Sequence, residues 1–335
     1  MKRQLFFLLL AAIINWPAFC RDFSEKEITV RATDGVAMGA TLTLPNDEPK
    51  AAVILATGSG IQNRDEEIFG KKPFRTISEF LSANGYAVLR MDDRGFSNPD
   101  DAKNATLQSD VDDIIAGIQV LDSILPEAPK GIIGHSSGGT CAVRIGAKNS
   151  GIRFIITLAG PAWSGDSVSM SQNRALAVSM TGRWEGENLQ RQILSVAKSD
   201  TPDMTARIII TMALNDALGE MSKQSKAQEQ IQQQVSAILS PWFRSMLRYD
   251  PADDIKALKI PCLALNGSKD IQVLPQNLIT MKELNPDIET KILENHNHLF
   301  QQCTTGMPQE YATLPGDVSD ATLQTILQWL ERTIR

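Results

Sequence analysis

Short apolar runs recur along this chain, and between them lie stretches whose apolar residues return at helical spacing. The runs are Ala51 to Ala56, Ala87 to Met91, Gly131 to Gly134, Phe154 to Leu158 and Cys262 to Leu265. A segment so short and so continuously apolar has no polar face, and reads as a strand covered on both sides. Phe74 to Ala83 and Val111 to Leu125 are amphipathic instead. In the second, Ile114, Ile115, Ile118, Leu121 and Leu125 form one helical stripe. Parallel neighbours need crossover connections and helices supply them. The alternation therefore predicts an α/β chain, with a mostly parallel central sheet and helices on both faces. Ile28 to Leu44 alternates apolar and polar residues around Asp34-Gly35, which predicts an antiparallel hairpin ahead of that sheet. Thr290 to Leu293 adds a final strand, and Ala321 to Ile334 a closing amphipathic helix.

The alternation breaks once, from Pro161 to about Asp254. That stretch keeps helical periodicity, has polar faces such as Gln228 to Gln234, and shows no clear buried strand, so residues 161–254 are expected to form a helical cap inserted after the Phe154 strand. Ile208-Ile209-Ile210 reads as a helix interior, given Thr205-Ala206-Arg207 before it and Met212-Ala213-Leu214 after it. Met170, Met180, Met204, Met212, Met221 and Met246 all fall in this insertion. Their adaptable side chains suit either ordinary helix packing or the lining of an apolar pocket.

The first residues belong to a different kind of segment. Lys2 and Arg3 are followed by the apolar run Leu5 to Ile14 and by Pro17-Ala18-Phe19-Cys20, the order expected of a signal peptide. The run is about ten residues long against the roughly twenty that span a bilayer, so residues 1–20 are read as cleaved, leaving 21–335 as an exported domain without a membrane span. Lipidation at Cys20 is the weaker alternative, because Phe19 is bulky. The formal net charge of the full chain is −6, which argues against nucleic acid and anionic membranes as partners. Cysteines stand at 20, 141, 262 and 303 with no C-x-x-C pair, and there are three histidines. Neither a disulfide framework nor a zinc site is expected from so sparse a set.

Gly134-His135-Ser136-Ser137-Gly138 carries the chemistry. G-x-S-x-G alone is a weak signal. Here it follows a buried strand and precedes the helical Gly139-Thr140-Cys141-Ala142-Val143, the strand–turn–helix setting that holds a nucleophilic serine out at the C-terminal end of a sheet. Ser136 is the candidate nucleophile. A serine hydroxyl needs a base, and the base an orienting acid. Behind such a turn these partners follow the serine in the order acid, then histidine. Asp270, directly after the Cys262 strand, is the candidate acid; Asp250, Asp253 and Asp254 precede that strand and fall at its wrong end. His296 and His298 both lie just beyond the Thr290 strand and both qualify as base. His135 occupies the variable position of the motif and reads as a packing or hydrogen-bonding residue beside the site.

The tetrahedral oxyanion of acyl transfer needs preorganised N–H donors. Ser137, at the start of the helix after the nucleophile, should supply one, and Ser59 in Thr57-Gly58-Ser59-Gly60 the other. No G-K-[ST] follows that glycine-rich loop, so a phosphate site is not expected. The charged clusters Arg64-Asp65-Glu66 and Asp92-Asp93-Arg94 flank strand ends and have two readings, recognition of a charged substrate or, the preferred one, bracing of the two loops through ion pairs and backbone hydrogen bonds. Trp242-Phe243-Arg244 has two readings, lining an acyl pocket or anchoring the insertion.

Taken in order, the motifs resemble the α/β-hydrolase superfamily and, within it, a bacterial esterase-like group related to the serine aminopeptidases. The segments that carry the likeness are Gly58-Ser59-Gly60-Ile61-Gln62-Asn63-Arg64-Asp65-Glu66, Arg90-Met91-Asp92-Asp93-Arg94-Gly95, Gly134 to Gly139, Leu265-Asn266-Gly267-Ser268-Lys269-Asp270 and Asn297-His298-Leu299-Phe300-Gln301. The resemblance implies an α/β-hydrolase fold, with Ser136 as nucleophile, Asp270 as acid and His298 as base, and ester hydrolysis without cofactor or metal. Thr57, Ser137 and Phe96-Ser97-Asn98-Pro99 depart from the group's common pattern close to the site, where they bear on substrate preference. The expectation is a serine carboxylesterase acting on a small-molecule ester with a small or medium acyl group. The alternatives are a peptidase or amidase on the same residues, favoured if an acidic pair of the insertion faces Ser136, and a noncatalytic binding protein.

Overall fold

A computed structural model describes residues 22–148 and 151–334. The signal-peptide reading of residues 1–20 lies outside the described residues. Eight strands form one sheet in the order β1-β2-β4-β3-β5-β6-β7-β8. The hairpin strands β1 (Phe23–Arg31) and β2 (Ala37–Pro45) are antiparallel, with Val30 opposite Met38, and β2 lies antiparallel to β4 (Ala87–Met91). From β4 onward, β3 (Ala52–Ala56), β5 (Lys130–His135), β6 (Phe154–Leu158), β7 (Cys262–Gly267) and β8 (Glu289–Leu293) run parallel. The hairpin begins five residues before the apolar alternation that announces it. Phe23-Ser24-Glu25-Lys26-Glu27 is a mostly exposed edge segment, held by main-chain pairing to β2 rather than by a buried face.

The inner strands are buried on both faces because helices cover both. On one face Ile54, Leu89, Ile132 and Ile155 pack with Val111, Ile114 and Leu121 of α2 (Leu107–Ile124) and with Ala142 and Ile145 of α3 (Ser137–Ala147). On the other, Val53, Leu55, Val88, Ile133 and Leu265 meet Phe74, Ile77 and Leu81 of α1 (Pro73–Ala83). Alternate residues of β3 thus enter different cores, as the period of a strand requires. α2 starts at a capping box in which Thr106 accepts from the Ser109 N–H and the Ser109 hydroxyl accepts from the Thr106 N–H.

Between β6 and β7 come six helices, α4 (Gly165–Thr181), α5 (Glu187–Lys198), α6 (Asp203–Leu218), α7 (Ser225–Ile238), α8 (Pro241–Arg248) and α9 (Ala252–Ala257). Ile193, Leu194, Ile210, Leu214, Val235 and Leu247 make a separate apolar cluster there. Ile208-Ile209-Ile210 lies within α6. Of the six methionines in this stretch, Met246 lines a cavity beside Ser136 and Met170 packs on the local cluster, whereas Met180, Met204, Met212 and Met221 are exposed. Neither reading of the methionines covers those four. Met204 and Met212 sit with Ile208 on an outer stripe of α6, whose inner stripe of Ala206, Ile210 and Leu214 is the buried one.

A short helix not evident in the sequence, α10 (Gln276–Leu284), joins β7 to β8, and α11 (Asp320–Thr333) closes the chain against the α1 face. α10 buries only Asn277, Leu278 and Met281, too few positions to show a period. Among the described residues, no helix is long and apolar enough to cross a membrane.

Candidate active site

Ser136 occupies the turn between β5 and α3 with φ 51° and ψ −119°, outside the regions that non-glycine residues ordinarily adopt. The glycines on either side make that turn possible. A Cβ on Gly134 would lie 2.2 Å from the Gly138 carbonyl oxygen, and a Cβ on Gly138 would lie 2.2 Å from the Ala56 carbonyl oxygen. With no side chain at Gly138, the start of α3 can lie against the end of β3, and the loop after β3 comes beside Ser136. The Ser136 N–H donates to the Leu158 carbonyl at 2.8 Å, which ties the turn to β6.

A cavity of about 250 Å³ opens here, lined by Gly58, Ser59, Ser136, Ser137 and His298, with Trp163, Trp242, Phe243, Met246 and Tyr249 from the segment between β6 and β7. Asp270 lies in the turn after β7, 2 % exposed. Its Oδ1 accepts from the N–H groups of Gln272 and Val273 at 2.8 and 3.0 Å. Its Oδ2 is 2.8 Å from His298 Nδ1. A carboxylate so placed can only accept, so Nδ1 carries the proton and Nε2 is left as the basic nitrogen. Ser136 and His298 wall the same cavity, and among the described residues no hydrogen bond joins them. His296 is engaged elsewhere. Its Nδ1 lies 2.7 Å from the Glu294 carbonyl and its Nε2 2.7 Å from the Ser319 hydroxyl, at the start of α11.

Ser59 and Ser137 both border the cavity, and among the described residues neither N–H has a hydrogen-bond partner. The loop that presents Ser59 is held on both sides. Thr57 Oγ1 donates to Asp93 at 2.5 Å, and the Gly58 N–H donates to Glu66 Oε1 at 2.6 Å. Arg64 grips Asp92 through Nε and Nη2 at 3.0 and 2.7 Å, and Arg94 grips Asp113 at 2.7 and 2.6 Å. Arg90 pairs with Asp65. Bracing thus accounts for most of the two charged clusters.

Glu66 does more than brace. Its Oε1 also lies 2.8 Å from His135 Nδ1, while His135 Nε2 donates to the His298 carbonyl at 2.9 Å. The rings of His135 and His298 are 4.6 Å apart. A chain of bonds therefore runs from Gly58 through Glu66 and His135 to the backbone of His298. Burial lowers the His135 pKa, but the charge and hydrogen bond of Glu66, the His298 carbonyl and the Asp270 charge outweigh it, and the net shift is upward. Both residues are visible in the sequence, and the link between them is not. The available signal was a histidine ending a fully buried strand, where both ring nitrogens need partners. Trp242 likewise combines its two readings, since it lines the cavity and its indole N–H donates to Asp110 of α2 at 2.6 Å. Phe243 lines the cavity as well, while Arg244 anchors the helices through Asp203 and the Ser199 carbonyl. Among the described residues no group of three or more histidine, cysteine, aspartate or glutamate side chains could hold a metal ion.

Comparison with known proteins places the chain and its fold. Esterase EstD of Thermotoga maritima is 27% identical over 315 residues, spanning 92% of this chain and 68% of that protein. An esterase of Pyrococcus furiosus superposes with a TM-score of 0.56 at 15% identity, over 97% of each chain. The acylaminoacyl peptidase of Pyrococcus horikoshii superposes with a TM-score of 0.53 at 14% identity, over 94% of this chain and 42% of the other. The eight-stranded, mostly parallel sheet wrapped in helices is thus the α/β-hydrolase fold. The profile of the serine aminopeptidase S33 family matches residues 48–301, from just before β3 to just beyond His298, and the chain belongs to that family of α/β hydrolases.

Proposed function

We propose that the protein is an exported serine carboxylesterase that cleaves esters of small or medium acyl groups through an acyl-enzyme on Ser136. The observation that carries this reading is the buried 2.8 Å contact between Asp270 and His298 Nδ1, with His298 and Ser136 facing one cavity at the C-terminal end of the sheet. Ser136 Oγ attacks the ester carbonyl carbon while His298 Nε2 takes its proton. The oxyanion is received by the N–H groups of Ser59 and Ser137, the latter at the positive end of α3. Collapse expels the alcohol with the proton from His298, and water then repeats the sequence in reverse to free the acid. None of these steps requires a cofactor or metal.

A peptidase on the same residues has some support in the family's description and in the acylaminoacyl peptidase likeness. The lining of the cavity favours the ester. Its one acidic side chain is Glu66, already engaged by Gly58 and His135, so this cavity offers no free carboxylate to a peptide amino terminus. Export rests on the order of charged, apolar and small residues in positions 1–20. Ser136→Ala tests the mechanism. It should lower kcat on any ester by roughly 10⁴-fold or more while leaving the fold intact, and turnover retained in a pure preparation would refute it.

A further inference from the structure

We propose that a second cavity, enclosed by the loop after β3, by β4 and by α2, is the acyl subsite of this esterase, and that it takes an uncharged medium-chain or aryl-alkanoyl group. The inference rests on the esterase reading above and gives it a substrate class. The cavity measures about 260 Å³ and adjoins the first, with Gly58 and Trp242 lining both. Trp242, fixed by its bond to Asp110, borders both.

Which part of an ester enters is decided by proton transfer. The leaving oxygen must sit within reach of His298, because that residue supplies its proton. His298 and Leu299 line the first cavity and not the second. The alcohol therefore stays in the first cavity, and the acyl chain turns away from His298, past Gly58 and Trp242.

The walls decide its chemistry. Met38, Ile54, Met91, Ile114 and Cys141 make most of the surface apolar. The charged side chains at the edge are already matched, Asp92 by Arg64 and Asp113 by Arg94. Asp93 and Asp110 face the space and are partly open to it, yet protein surrounds them. Burial pushes Asp93 up to about 8 and Asp110 up to about 7, so near neutral pH both are held largely or half as neutral acids. Their oxygens are also engaged, Asp93 by the Thr57 hydroxyl and the Gln62 N–H and Asp110 by the Trp242 indole N–H, so the wall favours an uncharged acyl group. As to size, a cavity of about 150 Å³ is known to take a benzene. A volume of about 260 Å³ has room for a ring and a short linker, or for a straight chain of comparable bulk.

The test compares p-nitrophenyl acetate, hexanoate and 3-phenylpropionate on the mature protein and on two variants. The wild type should prefer the larger acyl groups to acetyl by about tenfold or more in kcat/KM, the scale set by a few buried methylenes. Ala105→Phe, which fills the cavity, should cut that preference about tenfold, mainly through KM. Ile114→Ala, which enlarges it, should move the optimum to longer chains. A preference that neither variant moves, or one that follows the alcohol at fixed acyl group, overturns the subsite while leaving the esterase reading in place. Absence of turnover on every ester, acetate included, removes the esterase reading and the subsite with it.

Discussion

Glu66→Gln probes the link between the loop after β3 and the loop that carries His298. One oxygen, Oε1, receives both the Gly58 N–H and the His135 Nδ1 contact. His135 Nε2 faces a carbonyl, which can only accept, and Nδ1 faces a carboxylate, so both ring nitrogens must donate and the pair holds one proton more than a neutral histidine beside a carboxylate. A glutamine oxygen in that place can still accept from both while His135 keeps its second proton, but without the carboxylate charge the buried imidazolium is disfavoured, and once the proton leaves, Nδ1 faces an oxygen with nothing to share. One buried group is then left unmatched, at a cost of about 1–3 kcal/mol. At roughly 2–4 °C per kcal/mol the melting temperature should fall by several degrees. The loss should depend on pH. Because the His135 pKa is raised on folding, its contribution is fully present below the unfolded value of 6.5 and disappears as pH climbs through the folded value. Melting should therefore be compared at pH 6 and pH 9 by circular dichroism, with the gap between wild type and variant wide at pH 6 and narrowed at pH 9. Asp93 and Asp110, both raised, also lose stabilisation over this range, so the wild-type curve alone is not diagnostic. His135→Gln should flatten the same part of the curve. A gap that stays constant between pH 6 and pH 9, with an unaltered slope in His135→Gln, would refute the shared proton.

His298→Ala should be about as damaging to kcat as Ser136→Ala, because the residues act as a unit. His296→Ala, which removes only contacts near Glu294 and Ser319, should cost less than about tenfold; the reverse order would show that the base is misassigned. Aminoacyl arylamides should be cleaved at least about 10²-fold more slowly in kcat/KM than matched acetyl or butyryl esters, since an amine must be protonated as it leaves. Comparable rates would favour the peptidase reading. Expressed in a bacterium with a secretory system, the mature protein should start at Arg21 when sequenced from its amino terminus, and a chain that keeps Met1 to Cys20 in the cytoplasm would refute export.

What the sequence determined by itself is whatever local pattern encodes. The buried strands β3 to β7 are legible because a run of apolar residues with no polar face has only one kind of place in a folded chain. The turn at Ser136 is legible because its glycines leave room that any side chain would fill. Segments held by main-chain pairing or by a few contacts leave no such trace, which is why the first half of β1 and the helix α10 emerge only in three dimensions. The exposure of Met204 and Met212 has the same origin, since an apolar stripe on a helix does not say which of two sides meets a neighbour. The contacts on which the chemistry depends are less local still. Asp270 meets His298 across 28 positions, His135 meets Glu66 across 69, and Trp242 meets Asp110 across 132. One chain shows the residue types and, for the first pair, their order. Which atoms face one another, which nitrogen is left basic and where the second cavity opens depend on how the sheet sets its strand ends side by side, because hydrogen bonds and pKa shifts act over ångströms of space and not along the chain.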